Sequence, residues 1–278
     1  MVTMTDCERC RGTGFEIASV PGPDGKDVDV AHRCACQQVV GPDASERRLE
    51  ALRIPPRYEH CTFATFEIGE GSTRLTRDAL AMVLRYCSAY AQRGSANAND
   101  KGLGLLFTGG NGTGKTHLAV AVLRELAETH GVRGQFWDYH ELMREIRNSY
   151  NPATAITEYE LLEPVIDLEL LLLDDLGAWK MTDWMNDTLF FILNSRYMAK
   201  RATLITTNFQ DVDAKAAHAA DQNTKKEFLV ERIGQRLRSR LMEMCLVIKM
   251  HGQDHRQVTG QASNEAAIRA VLPPGAGR

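Results

Sequence analysis

Residues 109–116 have the composition and spacing of a phosphate-binding loop. Their sequence, GGNGTGKT, matches the pattern G-x-x-x-x-G-K-[ST], with Lys115 and Thr116 at its end. Glycines allow consecutive backbone N–H groups to curl around phosphates, and a helix that starts at the loop directs its positive dipole end toward them. We therefore predict a nucleoside triphosphate site in which Lys115 contacts the β- and γ-phosphates and Thr116 binds Mg²⁺. The predicted nucleotide-binding residues are Gly109, Gly110, Asn111, Gly112, Thr113, Gly114, Lys115, Thr116 and His117.

Two consecutive acids, Asp174 and Asp175, follow the four leucines at 170–173. An uninterrupted apolar run predicts a strand that is buried on both faces, as in a parallel sheet covered by helices. Ligands of such sheets bind at the carboxyl ends of the strands, so both acids should face the triphosphate. We assign Asp174 to the Mg²⁺ shell and Asp175 to the orientation of the attacking water.

Two later segments carry further candidates for the same site. A third strand, predicted at 202–206, is followed by Asn208, which we expect to touch the γ-phosphate and the water. Leucine or isoleucine then recurs every four residues between 229 and 241, which predicts the buried face of a helix. Arginines occupy an adjoining face of that helix. Arg240 is our candidate for a finger that reaches the γ-phosphate of a neighbouring subunit, with Arg236 and Arg238 as alternates.

Four of the seven cysteines lie within the first 36 residues, which favours a metal site. Cys7 and Cys10 form a C-x-x-C pair, and Cys34 and Cys36 supply a second pair. Four thiolates predict a closed tetrahedral Zn²⁺ site, with His32 as a substitute ligand, and the metal would hold this short segment folded. A disulfide is the alternative, but the polar N-terminus lacks the apolar region of a signal peptide, and we expect a reducing, cytoplasmic location. The remaining cysteines, Cys61, Cys87 and Cys245, have apolar neighbours and are predicted to be buried thiols.

The strands and helices that position these residues are also predictable from the spacing of apolar residues and prolines. Apolar residues at 103–107 precede the phosphate loop, and others at 118, 122 and 126 follow it at helical spacing, so the loop should lie between a strand and a helix. We predict a helix at 43–53, an extended segment at 54–58 because each proline excludes the α region for its predecessor, and a hairpin tip at 21–26. Another helix is predicted to have one face formed by Leu75, Ala79, Val83, Tyr86 and Tyr90.

Composition sets outer limits on function. The 278 residues are 44% hydrophobic and 25% charged, which suits one α/β core and a smaller unit. No apolar stretch approaches the roughly 20 residues of a membrane span, so we expect no membrane partner. The net charge of −3 excludes a globally basic nucleic-acid-binding protein and restricts any DNA contact to a local patch.

The order of these motifs resembles that of the DnaC/DnaI helicase loaders and their transposition relative IstB, within the AAA+ ATPases. The resemblance covers roughly residues 54–256. It rests on the loop GNGTGKT, on LLDDLG at 172–177, on TTN at 206–208, on SRL at 239–241 and on IPPRY at 54–58. It implies ATP bound between self-associating subunits, with a DnaB-type replicative helicase and single-stranded DNA as partners. The family's arginine near the end of the core corresponds to Arg256, a candidate second sensor.

The expected fold class is therefore α/β, an AAA+ P-loop NTPase with a five-stranded parallel sheet flanked by helices and a small N-terminal zinc-binding module. We expect a zinc module at 1–41, a helix and Pro-Pro linker at 42–58, the AAA+ ATPase domain at 59–256 and a C-terminal tail at 257–278. The cysteine-rich module resembles the helicase-docking domain of DnaI-type loaders, and a zinc staple without a docking role is the alternative. Aspartate at 175 is shorter than the glutamate common in AAA+ proteins, which predicts slow turnover.

DNA contacts are expected where aromatic residues and cations alternate, because aromatic rings stack on bases and cations neutralise phosphates. An apolar helix begins at Trp184, which is more typical of a core residue. The candidates are Trp179, Lys180, Tyr139, His140, Arg144 and Arg147.

The motifs and the family resemblance support two functions. An ATP-dependent helicase loader in DNA replication is favoured, and an IstB-like ATPase that assists DNA transposition is the alternative. A small-molecule kinase would need an acceptor site and a lid, for which the sequence has no convincing pattern.

Overall fold

The computed structural model describes residues 7–21, 26–35, 48–68, 74–90, 102–149, 158–211, 228–252 and 254–255. Its first elements are the antiparallel strands β1 (Phe15–Pro21) and β2 (Asp27–Arg33). They form the predicted hairpin, whose tip at 22–25 lies outside the described residues. Among the residues described, no helix combines the length and the apolar composition that crossing a membrane requires.

A five-stranded parallel sheet forms the centre of the molecule, as predicted. Its strands are β3 (Gly104–Gly109), β4 (Gly134–Asp138), β5 (Leu170–Asp174), β6 (Ala202–Thr207) and β7 (Cys245–Met250), in the spatial order β4-β5-β6-β3-β7. All four pairings are parallel. Every residue of β5 is buried, which confirms the inference from the leucine run at 170–173, and every residue of β3 and β6 is buried as well.

Helices cover both faces of this sheet. They are α1 (Arg74–Tyr90), α2 (Lys115–His130), α3 (Tyr139–Ser149), α4 (Glu158–Asp167), α5 (Asp183–Met198) and α6 (Leu229–Met244). Helices α1 and α2 pack on one face in a first core cluster, and α3 to α6 pack on the other face in a second. The apolar repeats predicted for α2 and α6 lie in these clusters, so the helices present the expected faces to the sheet.

Three local predictions differ from the structure. Leu75 was predicted on the buried face of α1 but is 48% exposed, because it lies one position before Thr76, where the observed buried face begins. Residues 54–58 were predicted to be extended throughout. Pro55 is extended, but Pro56–Tyr58 form a 3₁₀ turn, since no later proline restricts their backbone. Of the helix predicted at 43–53, only residues 48–51 are helical within the described range.

The N-terminal hairpin packs directly against the five-stranded sheet and its helices, which together form the sheet unit. The ring of Phe15 meets that of Phe63 edge to face, with centroids 5.1 Å apart, and Phe15 belongs to the first core cluster. From the end of β2, Arg33 forms ion pairs with Glu125 at 2.9 Å and Glu128 at 2.7 Å, both on α2. The hairpin therefore contacts the helix that follows the phosphate loop, while the domain boundary at residue 41 stays a prediction.

Candidate functional site

The phosphate loop has the backbone conformation that its glycines permit. Gly112 and Gly114 have φ values of +66° and +88°, in the left-handed region. A Cβ atom at Gly114 would collide with the ring of Phe66, and one at Gly112 would collide with the carboxylate of Asp254. Helix α2 begins immediately afterwards, at Lys115. The loop thus needs glycine at both positions, and its amides lie at a helix N-terminus, where an anion is favoured.

The lysine and threonine of the loop lie where the sequence analysis expects them. Lys115 is buried, and its Nζ donates a hydrogen bond to the carbonyl of Gly110 at 2.6 Å. Thr116 Oγ1 donates to Asp174 Oδ1 at 2.9 Å. The two predicted Mg²⁺ ligands are therefore in direct contact across the ends of two elements and are close enough to bind one cation.

Asp174 lies in a buried setting with two hydroxyl partners. Besides Thr116, Thr206 Oγ1 donates to Asp174 Oδ1 at 2.5 Å. Burial raises the pKa of Asp174, whereas these two hydrogen bonds oppose that rise by stabilising the carboxylate. A buried carboxylate with fixed hydroxyl donors is suited to hold a cation at one defined place.

Asp175 and Asn208 form the second half of the site. Asn208 Nδ2 donates to Asp175 Oδ1 at 2.7 Å, so the two residues proposed to contact the water are joined. Asp175 has φ +58°, a left-handed conformation that is uncommon for a residue with a side chain. The geometry brings both acids to the same opening at the carboxyl end of the sheet, as the strand order requires.

A cavity of about 560 Å³ joins these residues, a volume within the range of small-molecule and cofactor sites. The sequence analysis did not assign the whole lining to the site, and the segment 57–67 and Asp138 are among the parts it missed. Asp138 ends β4 after Phe136 and Trp137, so an acid after an apolar run was the available signal. The cavity is lined by Arg57, Tyr58, His60, Cys61, Thr65, Phe66, Glu67, Thr76, Gly112, Thr113, Gly114, Lys115, Thr116, His117, Asp138, Asp174, Asp175, Thr206, Asn208, His251, Gly252 and His255.

His117 connects the loop helix to the missed segment. Its Nε2 lies 2.9 Å from the carbonyl of Thr62, and its ring lies edge to face on Phe66 with centroids 5.3 Å apart. Burial lowers the pKa of His117, which favours the neutral imidazole. His117 thus holds one wall of the cavity against α2.

The arginines of α6 have partners within the chain. Arg232 donates to the carbonyls of Gly177 and Ala178 at 2.8 and 2.9 Å, so it holds the turn that follows the two acids. Arg238 pairs with Asp211 at 2.5 Å. Arg236 lies over the ring of Phe190.

Arg240 forms an ion pair with Glu243 at 2.9 Å and lies over the ring of Tyr197, 4.3 Å from its centroid. Among the described residues that line the cavity, none is an arginine of α6. If Arg240 acts on a nucleotide, it would therefore act at the cavity of another subunit.

The end of the described chain folds over the phosphate loop. His255 donates its backbone N–H to the carbonyl of Gly112 at 3.2 Å, and Thr76 Oγ1 donates to the carbonyl of His251 at 2.7 Å. Arg256, the candidate second sensor, lies outside the described residues, directly after this segment.

Three of the four predicted zinc ligands lie together. The Sγ atoms of Cys7 and Cys34 are 3.7 Å apart, and those of Cys7, Cys10 and Cys34 all lie within 4.8 Å of one another. Two thiolates on one tetrahedral Zn²⁺, with Zn–S bonds of about 2.3 Å, are separated by about 3.8 Å. Backbone N–H groups of Cys10 and Arg9 lower the pKa of the Cys7 thiol to about 7, which favours a thiolate ligand. Cys36 lies outside the described residues.

The other cysteines are buried, as predicted. Burial raises the pKa of Cys61 to about 11 and that of Cys245 to about 12, so both thiols are protonated at neutral pH.

The candidate DNA contacts separate into exposed and buried residues. Trp179 is 58% exposed, and its ring stacks on His140 with centroids 4.7 Å apart. Tyr139 was predicted beside them, but it is fully buried, because it faces the second core cluster from the start of α3. Trp184 packs against the same cluster, in line with its expected core position. The exposed cations near these positions in the chain are Lys180, Arg144 and Arg147.

The chain is similar in sequence and fold to known ATP-binding proteins and helicase loaders. Residues 95–262, more than half of the chain, match the family model of the IstB-like ATP binding proteins. The replicative helicase loader DnaI of Bacillus subtilis is 31% identical over 163 residues, which are 58% of this chain and 50% of DnaI. The phage-like element PBSX protein XkdC of the same organism is 26% identical over 207 residues, 73% of this chain and 71% of XkdC.

The crystal structure of the DnaC helicase loader superimposes with a TM-score of 0.56 at 28% identity, over 71% of this chain and 100% of that one. The match to DnaI spans only about half of that relative's length.

Proposed function

Because this chain belongs to the family of IstB-like ATP-binding proteins, we propose that it is an ATP-hydrolysing helicase loader that delivers a DnaB-type replicative helicase onto single-stranded DNA. One observation carries the enzymatic part of the proposal: the phosphate loop, the Thr116–Asp174 pair and the Asp175–Asn208 pair open into one cavity. The similarity to the helicase loaders DnaI and DnaC supports the biological part.

In the proposed reaction, water attacks the γ-phosphorus of ATP, a new P–O bond forms, and the bond to the bridging oxygen of ADP breaks. Asp175 orients the water and accepts its proton, while Asn208 keeps that carboxylate in place. Lys115 exchanges its bond to the Gly110 carbonyl for the β- and γ-phosphate oxygens. Mg²⁺, held by Thr116 and Asp174, would supply positive charge to the same oxygens.

A loading assay tests the function as a whole. The full-length protein is mixed with the replicative helicase of its source organism, ATP and single-stranded circular DNA coated with single-strand-binding protein. Unwinding of an annealed oligonucleotide is then measured. We expect loading by the wild type and by Lys249→Ala, an exposed control, but not by Lys115→Ala. If the helicase neither binds the protein nor unwinds in its presence, the loader proposal is wrong.

Zn²⁺ held by Cys7, Cys10, Cys34 and Cys36 forms part of the proposal. The Cys7 and Cys34 sulfurs have the separation of two ligands on a tetrahedral zinc, and the Cys10 sulfur lies within 4.8 Å of both. We assign the role of helicase-docking surface to the hairpin of β1 and β2 together with these cysteines. Zinc content and helicase retention are measured on the full chain, since the hairpin packs on the sheet unit. Cys10→Ser should lose both zinc and helicase. A variant that loses zinc but retains helicase would leave the metal with a purely structural role.

Single-stranded DNA is proposed to contact the exposed stack of Trp179 on His140, together with Lys180. Base stacking contributes about 1–3 kcal/mol per base. The double variant Trp179→Ala/Lys180→Ala should therefore weaken single-strand binding at least tenfold while ATP binding is unchanged. Equal DNA affinity in variant and wild type would exclude this surface.

The second candidate function is assistance of DNA transposition, which the match to the IstB-like family model favours. Both functions involve self-association through ATP, with Arg240 as the proposed finger. ATP-dependent assembly on duplex DNA and stimulation of a transposase, without any binding of helicase, would support this alternative.

A further inference from the structure

The last residues of β6 are hydrogen-bonded to the end of β5 and to the turn after it, where the two acids lie. Thr206 Oγ1 donates to Asp174 Oδ1 at 2.5 Å and accepts the backbone N–H of Asp175 at 2.9 Å. We propose that Thr206 is a positioning residue for ATP hydrolysis, which sets the cation-binding carboxylate and the water-orienting carboxylate with a single hydroxyl. The proposal rests on the proposed hydrolysis at this site and adds a residue that would act through Asp174 and Asp175.

These two contacts use the proton and one lone pair of the Thr206 hydroxyl. A threonine hydroxyl has one proton to donate, and here that proton points to Asp174, while a lone pair receives the N–H of Asp175. Thr206 is only 2% exposed, so little of its surface is open to water. The direction of the Asp174 carboxylate and the position of the Asp175 backbone are therefore linked through one atom.

The backbone of Asp175 needs such support. Its φ of +58° is unfavourable for a residue with a Cβ atom, by an amount on the order of 1 kcal/mol or more. Two neighbouring bonds hold the next residue of the turn. Leu176 N donates to the carbonyl of Thr206 at 2.9 Å, and Thr207 Oγ1 donates to the carbonyl of Leu176 at 2.7 Å. With this turn fixed, the Asp175 side chain reaches Asn208 in the cavity.

Packing alone does not require a hydroxyl at position 206. Valine has nearly the same shape as threonine and suits a buried strand, and the neighbouring strand residues Leu204 and Ile205 are apolar. A threonine hydroxyl beside a cation-binding carboxylate is instead typical of residues that orient metal ligands. Loss of such a partner lowers metal affinity or activity by about 10- to 100-fold.

The experiment compares two pairs of full-length proteins, loaded with zinc, that differ only in this hydroxyl. Wild type is compared with Thr206→Val, and Thr206→Ser with Thr206→Ala. Three quantities are measured: kcat and KM for ATP, the Mg²⁺ concentration for half-maximal activity, and the Kd of ATP in excess EDTA. Thermal unfolding monitors folding of each variant.

We expect kcat to fall about 10- to 100-fold, and the Mg²⁺ requirement to rise, when the hydroxyl is removed within either pair. The Kd of ATP in EDTA should stay within about threefold, because the phosphate loop is intact. If Thr206→Val does not fold, the Ser and Ala pair still isolates the hydroxyl. Equal kcat within a pair, or an equal loss in Thr206→Ser and Thr206→Ala, would overturn the proposal.

A wild type without Mg²⁺-dependent hydrolysis would refute the proposed activity and not the placement of Thr206. In that case the gain in ATP affinity on adding Mg²⁺ is the readout. That gain should be smaller in Thr206→Val than in wild type if Thr206 orients Asp174, and an equal gain would overturn the proposal.

Discussion

Asp174 and Asp175 are neighbours in sequence with different surroundings. Asp174 is buried, and its Oδ1 accepts hydrogen bonds from two hydroxyl groups. Asp175 is half-buried, has a left-handed backbone and is bonded to an amide, Asn208. A carboxylate with fixed hydroxyl partners suits a cation, and one at an opening suits a mobile water molecule. The environments thus support the division of roles between the two acids.

Asp175→Asn tests that division. Asparagine keeps the oxygen that accepts from Asn208 but cannot accept a proton, so we expect kcat to fall by about 100-fold or more. The Kd of ATP should remain within a few fold of the wild type. Steady-state hydrolysis and equilibrium nucleotide binding provide the two measurements, with the exposed Asp187→Asn as control. Unchanged turnover in Asp175→Asn would refute the assignment.

Residues in contiguous motifs were predictable, whereas residues placed by strand order were not. Lys115, Thr116 and Asp174 each lie in a local pattern whose chemistry depends on few neighbours. The contribution of Thr206 depends on β6 lying beside β5, which places its hydroxyl against two acids more than thirty residues earlier. Threonine in a strand is common for packing reasons, so its type alone gives no signal.

At the scale of elements, Arg196 joins α4, α5 and β6. It lies on α5 and is fully buried, and burial lowers its pKa to about 9. Its guanidinium donates to carbonyls in the last turn of α4 and directly after it, and to groups on β6, so the unpaired carbonyls of a helix end are satisfied by a side chain. Its acceptors are the carbonyls of Val165, Ile166, Leu168 and Ala202 and the hydroxyl of Thr203.

Arg196→Met should destabilise the protein strongly. Methionine fills a similar volume but leaves several buried carbonyls without donors, which costs about 3 kcal/mol or more in the free energy of unfolding. Urea unfolding measures the difference, and the exposed Arg85→Met serves as control. A loss below about 1 kcal/mol would show that water or neighbouring groups replace these bonds.

The contact between the hairpin and α2 gives stability a defined pH dependence. Burial raises the pKa of Glu125 from 4.5 to about 7, although the guanidinium of Arg33 opposes this rise. Between these pH values the folded protein binds a proton that the unfolded chain has released. The free energy of unfolding therefore contains a contribution that is fully present below pH 4.5 and is lost as the pH rises to about 7.

Glu125→Gln should remove this contribution. We expect the change in unfolding free energy between pH 5 and pH 7.5 to be smaller in the variant, by up to about 3 kcal/mol. Urea unfolding at both pH values measures it, with the exposed Glu50→Gln as control. Equal pH dependence in wild type and Glu125→Gln would contradict the raised pKa.

At the scale of the whole molecule, the hairpin and the sheet unit share one hydrophobic core. Phe15 and Ala31 from the hairpin belong to the same cluster as residues of α1, α2 and the sheet. Sequence could predict the closeness of the first cysteines, the succession of strands and helices along the chain, and the parallel sheet, because these follow from local patterns and a family resemblance. It could not predict this packing, since an apolar residue in a short strand does not indicate which surface will cover it.

Loss of the proposed Zn²⁺ should therefore affect the whole molecule. In Cys10→Ser we expect a single thermal unfolding transition, lowered by about 5 °C or more, because the hairpin contributes to the common core. Calorimetry with zinc quantification measures it, and the exposed Ser19→Ala is the control. A separate low-temperature transition, with the main one unchanged, would show that the hairpin folds independently.

The pairing of β3 has a consequence for biosynthesis. This strand leads into the phosphate loop, yet both of its neighbours are made later: Leu105 pairs with Leu204, and Gly104 pairs with Cys245. A chain emerging from the ribosome thus exposes the loop long before the strands on either side exist. We therefore expect a complete nucleotide site to form only after β7 has been made.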